Sequence, residues 1–163
     1  MNPLWRPAYV GIGSNLDSPR ERVIEAIERM KALDATRVEL RSHLYLTRPM
    51  GPQDQPNFVN AAVGLLTQLE ARDLLSGLLG IERSMGRDRQ EHWGPRVIDL
   101  DLLWMVDSAI DEPGLTVPHP GVSTRNFVLY PLADIAPTIK ILRIGQVLDL
   151  KRDAGGEGIS LLE

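Results

Sequence analysis

Hydrophobic residues recur along this chain at two different spacings, and the order in which those spacings alternate limits the folds open to it. Ala8 to Ile12 reads as a short buried strand that ends in Gly11-Ile12-Gly13-Ser14-Asn15. Ser18-Pro19-Arg20-Glu21 has capping-box spacing with Pro at the first helical position. Val23, Ile24, Ile27, Met30 and Leu33 follow at helical spacing, which predicts a helix over 19–33. Val38, Leu40, Leu44 and Leu46 alternate with Glu39, Arg41, His43 and Tyr45, the pattern of one half-exposed strand. Three prolines and a glycine make 48–57 a loop. Phe58 to Thr67 is a strand, and Leu74, Leu78, Ile81 and Met85 mark a second helix closed by Gly86. A polar, Arg-rich loop over 86–96 leads into a strand from Val97 to Val106. Residues 107–122 read mostly as loop, followed by a helix near 125–134 and a strand near 139–144. The tail from Lys151, with Gly155, Gly156 and Gly158, is expected to be loosely ordered.

The order β-α-β-β-α-β is the split βαβ unit of ferredoxin-like folds, so the expected class is α+β, an antiparallel sheet with helices packed on it. A length of 163 residues suits one domain, expected over 1–150, with 151–163 as the tail. The net charge of −4 argues against a general nucleic-acid or anionic-membrane binder. The cations are lopsided, 15 Arg against 3 Lys, and Arg is the bidentate reader of phosphate. A GC-rich genome would produce the same bias. With no cysteine, disulfides and thiolate metal sites are excluded. Met1 to Val10 lacks a signal pattern, and no apolar run approaches the ~20 residues of a spanning helix. A soluble, cytoplasmic domain is therefore expected.

Chemistry concentrates in Trp93-Gly94-Pro95-Arg96-Val97-Ile98-Asp99-Leu100-Asp101-Leu102-Leu103. Asp99 and Asp101 lie two apart on the expected strand, so both point to one face, with Cα atoms roughly 6.5–7 Å apart. Ile98, Leu100, Leu102 and Trp104 should form the opposite, core-facing side. Asp is depleted in strands, and adjacent like charges repel unless a cation offsets them. The pair can converge on Mg²⁺, or on two ions about 3.5–4 Å apart. Arg83, Arg87, Arg89 and Arg96 precede it, and metal-bound carboxylates beside guanidiniums suit phosphoryl transfer. The same arginines could equally be a solvated loop paired with Asp88 and Glu91. Glu82 lies one helical turn from Leu78 and Met85, where it either has a buried partner or reaches solvent from the boundary. Gly11-Ile12-Gly13-Ser14 fails the dinucleotide fingerprint because Leu16 fills the third glycine slot, and a tight strand exit accounts for it better. No Walker loop, Gly-x-Ser-x-Gly elbow or catalytic Cys occurs. His119, held between Pro118 and Pro120, could contact phosphate or be an ordinary loop histidine; the three His are too dispersed for a zinc site.

From about Tyr9 to Pro137 the chain resembles the hydroxymethyldihydropterin pyrophosphokinase (HPPK) family. The resemblance rests on Gly11-Ile12-Gly13-Ser14-Asn15-Leu16; on Gly51-Pro52-Gln53-Asp54-Gln55-Pro56 with Phe58 and Asn60; on Trp93-Gly94-Pro95-Arg96 with Asp99 and Asp101; and on Leu115-Thr116-Val117-Pro118-His119-Pro120. It implies transfer of the two terminal phosphoryl groups of ATP, as one unit, to the pterin hydroxymethyl oxygen, with attack at the β-phosphorus and loss of AMP. It implies two Mg²⁺ ions on Asp99 and Asp101, with Arg87 and Arg96 completing the catalytic set. Glu82, Arg87, Arg89, Trp93, Arg96, Leu102, Thr116, His119 and Arg125 match nucleotide-site positions. Thr47, Met50, Phe58, Asn60, Trp93, Asp99 and Phe127 match the pterin pocket. There, a flat ring takes aromatic faces and an amide-like edge takes Asn. Nothing in the sequence demands more than a monomer.

Arg48, Leu79, His92 and Gly114 depart from residues common in the family. Loops 48–57 and 84–96 are expected to close over ATP and exclude water. The alternative is a ferredoxin-like nucleotide-binding module without catalysis.

Overall fold

The computed structural model describes residues 4–51, 53–86 and 97–163. The first strand is Arg6–Ser14 (β1), followed by a helix over Pro19–Met30 (α1). Thr36–Arg41 (β2), Tyr45–Thr47 (β3) and Phe58–Thr67 (β4) come next, then the helix Ala71–Ser84 (α2) and the strand Asp99–Met105 (β5). Ile110–Glu112 (β6) and Leu115–Val117 (β7) pair as a hairpin, which leads through a 3-10 turn at Pro120–Ser123 to the helix Asn126–Ile135 (α3). Lys140–Ile141 (β8), Gly145–Gln146 (β9), the helix Val147–Ala154 (α4) and Ile159–Leu161 (β10) complete the order.

The main sheet runs β10-β3-β4-β1-β5, with β2 also on β4, and every pairing is antiparallel. The split unit's own four strands take the spatial order 4-1-3-2, so the expected α+β architecture is present. Ala8, Val10, Ile12, Val59, Ala61, Val63 and Leu65 are buried on the face that α1 and α2 cover. The helices α3 and α4 lie on the other face, where Tyr45 meets Tyr130 edge-on at 6.1 Å and donates its hydroxyl to Asp134 at 2.9 Å.

Several local expectations are corrected. The single strand over 38–46 is two strands, because Ser42 breaks the ladder. Its N–H donates to the Ala62 carbonyl at 2.9 Å and its Oγ accepts from the Ala62 N–H at 2.8 Å. Ser18 makes no side-chain cap. Asp17 and Ser18 both take positive φ (55° and 63°), and only the Ser18 carbonyl serves the helix, accepting from Arg22 N–H at 3.1 Å. Regular helix ends at Met30, and i→i−3 bonds tighten the chain through Leu33, whose side chain fills the space a Cβ on Gly77 would need, 2.9 Å away. The strand near 139–144 is instead the small β8/β9 hairpin. The segment from Lys151 is ordered: it completes α4 and adds β10 to the sheet edge beside β3.

Two corrections bear on the site. Gly11 and Gly13 are inside β1, not in a strand exit, since β1 pairs on both sides as far as Gly13. In β5, register shifts by one between Tyr9 and Val10, so Trp104 pairs with Tyr9 while Leu102 pairs with Val10. Past this bulge Trp104 lies on the face of Asp99 and Asp101 rather than opposite them.

Candidate active site

Cross-strand partners in an antiparallel sheet share a face. Tyr45 pairs with Asn60, Asn60 with Gly13, and Gly13 with Asp99, so these four form one row across β3, β4, β1 and β5. Asp101 pairs with Gly11 one step along, and Phe58 pairs with Thr47 on the far side. Asn60 and Asp99 are two strand spacings apart, about 10 Å at about 4.8 Å each. Between them lies Gly13, whose missing side chain leaves room for that of Asn60. A Cβ on Gly13 would stand 2.7 Å from Asn60 Oδ1, closer than any real contact. Asn60 is buried and oriented, donating from Nδ2 to Thr47 Oγ1 at 2.7 Å. Phe58 and Phe127 are half-buried, and Met50 is exposed.

Polar residues at the end of β1 brace this row, and the sequence reading gave them no role. Ser14 Oγ donates to the Val97 carbonyl at 2.5 Å, just ahead of Asp99. Asn15, also buried, donates from Nδ2 to Gln55 Oε1 at 3.0 Å and to the Pro56 carbonyl at 2.9 Å. One dipeptide thus ties the carboxylate strand on one side and the 48–57 loop on the other. The signal was present as two adjacent small polar residues following apolar strand residues, which need partners once buried.

On the outer side of β5 a cleft of about 480 Å³ is bounded by α2 and β7. Leu75, Leu79, Leu100, Leu102 and Leu115 give it apolar walls, and Asp101, Thr116 and His119 supply polar groups. The departures Leu79 and Gly114 both line it. His119 is positioned through its backbone, N–H to the Leu103 carbonyl at 2.7 Å. Its Nδ1 accepts the Gly121 N–H at 3.0 Å, which assigns the neutral-ring proton to Nε2, 3.9 Å from Asp101 Oδ1. Burial holds this imidazole below its ordinary pKa, and the nearby Arg125 guanidinium adds to the effect while Asp99 opposes it. Arg125 also lies over the Phe127 ring, 5.9 Å from its centre.

Glu82 resolves to the buried alternative. It is 1% exposed, and its Oε2 accepts the Leu100 N–H at 2.7 Å. A side chain of α2 therefore holds the outer edge of β5 at the residue between the two aspartates.

The structure brings together Asp101, Leu102, Thr116 and His119 around the cleft, and Asn60 and Asp99 in the glycine row with Thr47 and Phe58 beside it. Arg87, Arg89, Trp93, Arg96 and His92 lie outside the described residues. Among the described residues no group of three or more His, Cys, Asp or Glu could hold a metal. Asp99 and Asp101 nevertheless fit Mg²⁺ chemically: they are hard oxygen donors on one face, and Mg²⁺ at phosphate sites takes one or two carboxylates with the substrate's own oxygens.

The profile of the 7,8-dihydro-6-hydroxymethylpterin-pyrophosphokinase (HPPK) family matches residues 9–137. The chain is 47% identical over 133 residues, 82% of each chain, to the 2-amino-4-hydroxy-6-hydroxymethyldihydropteridine pyrophosphokinase of Pseudomonas aeruginosa. To the protein of the same name from Methylorubrum extorquens it is 43% identical over 134 residues, 82% of this chain and 85% of that one. Among solved structures, the wild-type HPPK-DHPS of Plasmodium falciparum with STZ-DHP aligns with 93% of this chain at a TM-score of 0.75 and 14% identity, and the chain spans 43% of that longer protein. The fold, the glycine row with its two aspartates, and the sequence similarity agree: the chain belongs to the 7,8-dihydro-6-hydroxymethylpterin-pyrophosphokinase family.

Proposed function

We propose that the chain transfers pyrophosphate from ATP to the hydroxymethyl group of 6-hydroxymethyl-7,8-dihydropterin, releasing AMP, in folate biosynthesis. The observation that carries this reading is the position of Asp99 and Asp101 on β5, with the apolar cleft on one side and the row Gly13-Asn60-Thr47 on the other. A flat ring can lie along the glycine row with its amide-like edge at Asn60, between the faces of Phe58 and Phe127. Thr47 and Met50 would complete that pocket, with Trp93. A purine would occupy the leucine-lined cleft beside Leu102 and Thr116, with Glu82 acting from behind through Leu100, and its triphosphate would run toward the aspartates.

In the reaction the pterin hydroxyl gives up its proton to solvent as its oxygen forms a bond to the β-phosphorus, and the bond from that phosphorus to the oxygen bridging the α-phosphate breaks. AMP leaves with the bridging oxygen. The chain need supply no nucleophile. His119 offers an Nε2–H to a phosphate oxygen, and Arg87, Arg89, Arg96 and Arg125 would grip the triphosphate and take up its redistributed charge. Two Mg²⁺ ions, held by Asp99 and Asp101, would supply charge neutralisation on the phosphates and acidify the attacking hydroxyl when bound. The reading extends to a monomeric cytoplasmic enzyme; no helix among the described residues is long and apolar enough to cross a membrane.

Product analysis with ATP, Mg²⁺ and the pterin tests it. AMP should form in step with pterin pyrophosphate, and ADP in its place would exclude pyrophosphoryl transfer. Asp99→Ala or Asp101→Ala should remove most turnover, and near-parent rates would refute the metal assignment.

A further inference from the structure

We infer that residues 155–161 act as a positioning strut for the pterin side of the site, holding its two walls in register. This rests on the functional reading above but not on the family match, which ends at residue 137.

One wall begins at β3, a strand of three residues that carries Thr47 and leads directly to Arg48 and Met50. Its outer side is covered by β10, with Ile159 opposite Thr47. The Arg48 N–H, the first of the loop, donates to the Gly158 carbonyl at 2.9 Å. The other wall begins at the first residue of α3. Asn126 Nδ2 donates to the carbonyls of Gly155 at 3.1 Å and Glu157 at 2.8 Å, and Phe127 is the next residue. A stretch of five residues is therefore bonded to both walls at the points where Thr47 and Phe127 are set.

The glycines make this possible. Gly155 and Gly158 take φ of 74° and 75°, a region that other residues enter at a cost. A Cβ on Gly156 would lie 2.7 Å from the Tyr130 hydroxyl, and one on Gly158 would lie 2.7 Å from Arg48 Nε. Gly156 thus marks close fit to α3, and the left-handed backbone at Gly155 and Gly158 sets the path of the segment between the two walls. None of these contacts reaches the cleft beside β7, so the strut should act on pterin and not on nucleotide.

The test uses the full chain with a saturating non-hydrolysable ATP analogue, and titrates 6-hydroxymethyl-7,8-dihydropterin by calorimetry; the analogue is titrated separately. Gly158→Val should weaken pterin binding about tenfold, equivalent to about 1.4 kcal/mol, and nucleotide binding less than about twofold. Gly158→Asn, which tolerates positive φ and meets only the movable end of Arg48, should stay near the parent. Should Gly158→Val fail to fold, Asn126→Ala, which deletes both carbonyl bonds, carries the test with the same expected selectivity. Equal losses for both ligands, or unchanged pterin affinity in folded variants, would overturn the strut. A parent chain that binds no pterin would overturn the functional reading and the strut with it.

Discussion

A single methyl group at Gly13 would decide whether the glycine row can work. The Asn60 side chain cannot retreat from it easily, since its Nδ2 is engaged by Thr47. Gly13→Ala should therefore displace Asn60 and raise KM for the pterin by about tenfold or more, with KM for ATP little changed, as steady-state kinetics would register. His119 is the other residue whose surroundings set its chemistry. Its folded-state pKa is depressed, chiefly by burial, so the unfolded chain binds more protons than the folded one between the two pKa values. The contribution to stability is full above the ordinary value of about 6.5 and is lost as pH falls through the folded value. NMR titration of the metal-free chain should show its ring protonating below that ordinary value. Asp99 and Asp101 were legible from their spacing alone, because a strand's period of two leaves no other arrangement. The purpose of Gly13 was not, because an absent side chain acquires meaning only from the one that fills its space.

At the scale of elements, the packing of α2 against β5 includes a buried polar contact. Glu82 satisfies the outward N–H of Leu100, and an edge strand's N–H buried without an acceptor costs about 1–3 kcal/mol. Glu82→Leu should lower stability by about that amount in denaturant titration, whereas Glu82→Gln, which keeps an acceptor oxygen, should lose less. The strand Phe58–Thr67 and the end of α2 before Gly86 were legible, since long apolar runs and a left-handed glycine are local signals. The break at Ser42 was not, because an alternating pattern on either side of a serine reads as continuous until the serine's own hydroxyl replaces a ladder bond. The bulge that turns Trp104 onto the aspartate face was hidden for a similar reason: it is a mismatch between two strands and belongs to neither sequence alone.

Across the whole molecule, the sheet's outer edge is closed by chain that follows the entire split unit. Glu163 pairs side chain to side chain with Arg20 at the start of α1, through two bonds of 2.5 and 2.6 Å, and its backbone carbonyl accepts from Leu44. The guanidinium holds the Glu163 carboxyl below its ordinary pKa. The tie is thus complete above the ordinary carboxylate range and is released as pH falls through the depressed folded value. Hydrogen exchange in residues 159–163 should accelerate on acidification, and Arg20→Ala should abolish that pH dependence. Composition and hydrophobic period were by themselves enough to determine the α+β class, the βαββαβ order and the aspartate pair, since periodicity and turn chemistry act over a few residues. Only the tertiary structure decided that the glycines of β1 make room for Asn60 and Leu103, that Glu82 is buried and partnered, and that the glycine-rich tail completes a helix and adds a strand to the sheet. Those outcomes depend on which distant backbone groups need a partner and where a missing Cβ leaves room, and neither is set until the sheet has assembled.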